Sequence, residues 1–242
     1  MIRTIIVVLF YALALLLVMP WLIFWSLLTG SVDFMYRLTM NGVRFGLRLA
    51  GIGVHVEGLE NIPAGVCIFA ANHVSNIDPL AFVPAIPRRV SLLAKKEVFR
   101  IPILSKAMRM ARLIPVDRED REAAASSVDL AVRCLMEGLS FAVYPEGTRS
   151  RDGRLLAFKK GAFVMAIEAG VPVVPVSIAG AQKLMRKGDW TLHAGEVVVR
   201  FGPAVNASEY TMDRRGELLA RVEALVAAGL PEEQRPFRAG KS

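Results

Sequence analysis

Cysteine and histidine are scarce in this chain, with two of the first and three of the second in 242 residues. Cys67 and Cys134 make no CxxC pair and the histidines are too few to complete a zinc cage, so no metal site is read from the sequence. The two cysteines read instead as buried free thiols of a reducing compartment. No GxSxG elbow occurs, which disfavours a serine hydrolase. No internal repeat or low-complexity linker breaks the chain, so length and a 54% hydrophobic composition suit one substantial core. Charge is missing altogether between Thr4 and Thr29.

That last absence defines the N-terminal segment. The run from Ile5 to Leu28 exceeds the roughly 20 residues that a helix needs to cross a bilayer, and it lacks the small-residue cleavage site of an ordinary signal peptide. Pro20 inside the run is expected to kink or break the helix, so a straight crossing and a re-entrant hairpin in one leaflet both remain open. Arg3 stands alone before the run while Arg37, Arg44 and Arg48 follow it, which by the positive-inside rule places the remainder on the cytoplasmic face of the cell (inner) membrane. Ser31 and Asp33 can cap a second helix from about Phe34 to Ala50, with Arg37, Asn41, Arg44 and Arg48 on one face. That helix suits either the bilayer interface or the surface of a globular domain.

What is abundant is positive charge. A formal net charge of +8 points toward a polyanion or an anionic surface. The basic residues are dispersed and lack interleaved aromatics on a recognisable module, which argues against nucleic acid.

From Gly51 onward short apolar runs alternate with stretches of helical period, the pattern of an α/β domain. Strands are expected over Val54–Glu57, Val66–Ala71, Ser91–Ala94, Leu113–Val116, Ser140–Tyr144 and Glu196–Phe201, with helices near Pro79, Pro102–Met108, Glu119–Met136, Lys159–Glu168 and Arg214–Ala228. Val171–Ile178 is β-prone as well, but Pro172 and Pro175 restrict it to an edge or irregular strand. The chain divides into membrane-anchoring helices over 1–50, an α/β domain over 51–230 and a flexible basic tail over 231–242.

Four of these strand ends carry polar chemistry. Asn72-His73-Val74-Ser75-Asn76-Ile77-Asp78 follows the second strand, and its spacing can bring imidazole and carboxylate together with one ring nitrogen left for a substrate. Asp78-Pro79 is equally the start of a capped helix. Tyr144-Pro145-Glu146-Gly147-Thr148-Arg149-Ser150 joins a carboxylate, a glycine that allows close approach, two hydroxyls and a guanidinium fork suited to phosphate. Pro115-Val116-Asp117-Arg118 and Lys95-Lys96 complete the set. Ligands of α/β folds bind outside the carboxyl ends of parallel strands, so the four ends describe one cleft.

The blocks NHVSNID at 72–78, IPVDR at 114–118, YPEGTRS at 144–150 and VPVVPVSI at 171–178 resemble, in this order, those of the glycerolipid acyltransferase family, above all its 1-acylglycerol-3-phosphate acyltransferases. The second block departs from the pattern, with Arg112 and Pro115 where glycine and an aromatic are common. The expected fold is α/β, a mixed and largely parallel central sheet flanked by helices behind an N-terminal helical membrane anchor. The resemblance implies transfer of a fatty acyl group from acyl-carrier protein (acyl-ACP) or coenzyme A (acyl-CoA), as co-substrate with no cofactor bound, to the sn-2 hydroxyl of lysophosphatidic acid among membrane lipids. It implies His73 as general base oriented by Asp78, and Lys95, Lys96, Arg118, Glu146, Gly147, Thr148 and Arg149 as the acceptor site. Another acceptor on the same core, such as glycerol-3-phosphate, a lysophospholipid or a lyso amino-acid lipid, and a non-catalytic membrane-binding scaffold are the alternatives.

Overall fold

The computed structural model describes residues 1–117, 120–186 and 188–236. The uncharged N-terminal run lies within one helix of 28 residues, Ile2–Thr29. It consists of α1 (Ile2–Leu13), a π-helical stretch over Ala14–Val18, and α2 (Met19–Thr29). The ring of Pro20 crowds the carbonyl one turn earlier and removes a donor. The wider π turn just ahead of it absorbs that misfit, so the expected kink or break is met by a local change of helical pitch. Gly30 leaves the helix at φ 68° and the chain reverses into α3 (Asp33–Leu49).

No side chain among the described residues caps α3. The Ser31 hydroxyl does accept the Asp33 N–H at 3.3 Å, one residue ahead of the helix cap, while the Asp33 carboxylate turns to Arg89 at 3.2 Å. Helices α1 and α3 pack closely at Gly46, where a Cβ would run into the Tyr11 hydroxyl. That hydroxyl donates to the Val43 carbonyl at 3.1 Å. On the basic face of α3, Arg44 binds Asn41 and the carbonyl of Pro84, so at least this residue ties the helix to the α/β domain.

The α/β part runs β1 (Ile52–Glu57), β2 (Ile68–Ala71), α4 (Asp78–Ala85), β3 (Val90–Lys95), α5 (Pro102–Met110), β4 (Ile114–Val116), α6 (Arg121–Met136), β5 (Ser140–Val143), α7 (Gly161–Ala169), β6 (Val173–Ala179), α8 (Ala181–Leu184), β7 (Gly195–Phe201) and α9 (Arg215–Gly229). Its seven-stranded sheet has the order β1-β7-β6-β2-β5-β3-β4. All neighbours are parallel except β6 and β7, so β1 and β7 run against the other five. The starts of β1 and β7 therefore share an edge of the sheet with the carboxyl ends of β2 to β6.

Side-chain alternation sorts the core into two layers. Phe69 and Ala71 of β2 face Phe82 and Val83 of α4 and Leu47 of α3, whereas Ile68 and Ala70 face α6, α7 and α9. Burial on both faces explains the continuous apolar run of this strand.

Of the two alternatives for β6, an edge or an irregular strand, the edge is corrected here. Val173 to Ile178 lies inside the sheet between β2 and β7, with Val173, Val174, Val176 and Ile178 fully buried. Val173 exchanges both backbone bonds with Val205, and the Pro175 carbonyl accepts from Gly202. The regular β6–β7 register begins only at Val176. Pro175 thus places its missing N–H beside the 202–205 connection, at an interruption of the ladder, and an interior strand tolerates it.

Candidate active site

At the end of β2 the backbone ladder is continued by a side chain. The Asn72 amide donates to the Ile178 carbonyl at 3.0 Å and accepts from the Ile178 N–H at 2.7 Å, which fastens the loop to β6. His73 follows, with Nδ1 2.8 Å from Oδ2 of Asp78. The same carboxylate oxygen accepts the N–H groups of Val74 and Ser75, each at 2.7 Å. Asp78 is fully buried as the first residue of α4, and it spends its oxygen on the preceding loop instead of capping the helix that it begins. The imidazole keeps 11% of its side-chain surface open, and its Nε2 makes no hydrogen bond among the described residues. A donor bond from Nδ1 to Asp78 leaves Nε2 as the acceptor nitrogen, the tautomer required of a base.

The loop after β5 grips this histidine from below. The His73 N–H donates to Oε1 of Glu146 at 2.5 Å, and the His73 carbonyl accepts from the Ser150 N–H at 2.8 Å. Oε2 of Glu146 accepts from Leu156 at 3.0 Å. Glu146 is buried, and burial pushes its carboxyl from 4.5 up to about 8, against the lowering effect of those two amides. Its oxygens face the protein and not an open cleft. Tyr144 stacks on the imidazole with ring centroids 4.1 Å apart and planes inclined by 22°. The Tyr144 hydroxyl is buried without a hydrogen bond among the described residues, and burial, then the Asp78 charge, raises its ionisation well above the usual phenol value.

Arg149 reaches across to this loop, with Nη1 2.7 Å from Oδ1 of Asn76. Gly147 adopts φ 72°, and a Cβ there would meet the Lys159 stem and ammonium at 3.0 Å. Position 147 is glycine for the left-handed backbone and because Lys159 lies across it. Thr148 is exposed beside them. The carboxyl ends of β3 and β4 are one and two strands beyond β5. There Lys96 pairs with Asp117 and Lys95 lies 3.5 Å from Glu97. Arg118 lies outside the described residues.

The structure therefore brings His73, Asp78, Glu146, Gly147 and Arg149 into one network and sets Lys95 and Lys96 along the same sheet edge. Three participants were missed by sequence reasoning. Tyr144 was quoted as a strand end and as the first residue of its motif without a role, although an aromatic two positions before a buried carboxylate is a usable signal. Asn76 was quoted in its motif without a role. Lys159, ten residues past Arg149, carried no signal beyond its charge.

A sequence profile of the acyltransferase family matches residues 53–179. The chain is 32% identical over 232 residues to a 1-acyl-sn-glycerol-3-phosphate acyltransferase of Limnanthes douglasii, covering 96% of this chain and 82% of that protein. A protein of the same description from Pseudomonas aeruginosa is 30% identical over 203 residues, covering 81% of this chain and 78% of its own length. The crystal structure of the 1-acyl-sn-glycerophosphate (LPA) acyltransferase PlsC from Thermotoga maritima superimposes with a TM-score of 0.82 at 28% identity, over 94% of this chain and 93% of that one.

Proposed function

This chain belongs to the acyltransferase family, and from that premise we propose that it acylates the sn-2 hydroxyl of 1-acyl-glycerol-3-phosphate to form phosphatidic acid. The observation that carries the chemistry is the His73–Asp78 contact at 2.8 Å with Nε2 left open. In this scheme Nε2 takes the proton of the acceptor hydroxyl as its oxygen attacks the thioester carbonyl of acyl-CoA or acyl-ACP. The carbon–oxygen bond forms, the carbon–sulfur bond breaks, and the imidazolium returns the proton to the departing thiolate. Asp78 holds the ring and balances its transient charge, the logic of a catalytic triad without an enzyme nucleophile.

The N–H groups of His73, Val74 and Ser75 all donate to carboxyl oxygens, so these three amides hold the loop's geometry and are not the oxyanion donors. Arg149 with Gly147 and Thr148 supplies the nearest cationic fork for the acceptor phosphate, and Lys159 adds a second cation. Lys95 and Lys96 lie farther along the same sheet edge. Glu146 acts on the acceptor only through His73, by holding its backbone. The apolar helix Ile2–Thr29 keeps the catalytic end at a membrane surface, where both lysolipid and product reside.

The test is a panel of pure acceptors, lysophosphatidic acid, glycerol-3-phosphate and lysophosphatidylcholine, given to the full chain in lipid with labelled acyl-CoA or acyl-ACP. Phosphatidic acid is the expected product, lost with His73→Ala by about two to four orders of magnitude in rate. Turnover that survives His73→Ala unchanged would sink the mechanism, and preference for another acceptor would replace the substrate.

A further inference from the structure

Trp190 leaves 78% of its surface in solvent, more than either tryptophan of the apolar N-terminal helix. A single exposed indole assigns nothing by itself, so what surrounds it decides. It tips the loop between α8 and β7, whose neck is closed by the His193 N–H donating to the Leu184 carbonyl at 2.9 Å. The loop is tied down at two places. The Ser75 hydroxyl donates to the Met185 carbonyl at 2.7 Å, and the Leu192 N–H donates to the Thr4 hydroxyl at 3.0 Å. One end thus touches the catalytic loop and the other touches the first turn of α1, where Ile2, Ile5 and Ile6 are exposed.

Charge along the loop points the same way. From 183 to 193 the sequence carries Lys183, Arg186 and Lys187 against the single acid Asp189. Lys183 and Arg186 are exposed, while the Asp189 carboxylate is folded back onto the Thr191 N–H at 2.8 Å. An exposed indole with exposed cations on the same loop, itself hydrogen-bonded to the first turn of an apolar helix, is the composition of a bilayer interface, where the ring sits at headgroup level and the cations meet lipid phosphates.

We propose that the loop between α8 and β7 is a second membrane contact, with Trp190 in the headgroup zone of the bilayer that receives the Ile2–Thr29 helix. This rests on the membrane reading above and adds to it a point of attachment one hydrogen bond from Ser75, whose backbone N–H is held by Asp78. The bilayer would then set the height of the His73 loop directly, on the side where a lysolipid enters.

Two single-tryptophan forms of the full chain test it. Trp21→Phe with Trp25→Phe leaves Trp190, and Trp25→Phe with Trp190→Phe leaves Trp21. Each is reconstituted in bilayers of phosphatidylglycerol and phosphatidylcholine brominated either near the headgroup or near the chain ends. Trp190 emission should shift to the blue and be quenched more strongly by headgroup-proximal bromine. Quenching of Trp21 without quenching of Trp190 overturns the inference and leaves the membrane reading intact, whereas quenching of neither removes both. Quenching of Trp190 by a soluble acidic carrier protein bearing a quencher, and not by lipid, would also overturn it and identify a different occupant. As a second measurement, Trp190→Asp should raise the apparent KM for acceptor presented in vesicles several-fold; an unchanged KM counts against the proposal.

Discussion

His73 makes a single side-chain hydrogen bond among the described residues, while Oδ2 of Asp78 receives three. The aspartate therefore has two separable duties, to shape the loop and to balance charge on the ring. Its other oxygen, Oδ1, is buried without a hydrogen bond among the described residues. In Asp78→Asn the amide oxygen can take over all three bonds and the NH2 can occupy the Oδ1 position, so loop geometry survives while the charge is lost. Expected is an unchanged fold by circular dichroism with a kcat lower by about two to four orders of magnitude. Near-native kcat would show that only geometry mattered. Tyr144 separates ring from hydroxyl in the same way. Tyr144→Phe keeps the stack on His73 and removes a buried, unpaired hydroxyl, so it should retain activity and gain about 1 kcal/mol in thermal unfolding. Tyr144→Leu removes the aromatic face that supports the imidazolium, worth about 0.5–2 kcal/mol, and should lower kcat by about 2- to 30-fold.

Glu146 has a pH signature of its own. Its folded value of about 8 lies above the ordinary 4.5 because burial dominates. The folded protein thus holds this proton over a range in which the unfolded chain has released it. Stability from this group is complete below about pH 4.5 and is lost as pH rises through about 8. Glu146→Gln should flatten that decline in thermal unfolding followed from about pH 5 to about pH 9, while its NH2 faces one of the two donors and lowers stability at the acid end by about 1–3 kcal/mol. A variant with the same slope as the native chain would contradict the assignment.

At the scale of elements, the N-terminal hairpin is held by a glycine. Gly46→Ala puts a methyl into the Tyr11 ring, forcing α1 and α3 apart at a cost of about 1–3 kcal/mol. Combination with Tyr11→Ala should restore part of that loss, and strictly additive unfolding energies for the pair would place the two residues out of contact. Neither partner of this contact was legible in the sequence, because proximity between two helices has no local signal. Strand locations were legible where burial imposed a continuous apolar run: Ile68–Ala71 falls within the expected Val66–Ala71, and Ser140–Val143 ends one residue short of Tyr144. Strand neighbours were not. Pro172 and Pro175 argued for an edge or an irregular strand, and the interruption of the next ladder at 202–205 explains the place of Pro175 inside the sheet. Arg112 is a departure that the backbone clarifies. It is the only described residue other than glycine at positive φ, 64°, so glycine would be the unstrained choice there. Asp78 as a partner of His73 was legible from spacing, whereas the duty of Glu146 was not, since its burial depends on β5 lying beside β2.

At the scale of the whole molecule, two features could carry the proposed attachment to a bilayer, the net charge of +8 and the apolar helix. They differ in their response to salt. At about 1 M ionic strength the Debye length contracts to about 3 Å, which removes most attraction between dispersed surface cations and anionic lipid. Burial of apolar surface is not weakened by added salt. The helix Ile2–Thr29 leaves Leu9, Leu13, Leu16, Leu17, Trp21 and Phe24 each more than half exposed, and each such side chain contributes about 1.5–3 kcal/mol when it leaves water. Several of them outweigh the roughly 1 kcal/mol that a lysine or arginine gains near an anionic surface. The full chain should therefore stay with sedimented membranes through a wash at about 1 M salt and be released only by detergent. Release by salt alone would assign the attachment to charge and leave the apolar face of the helix without its bilayer.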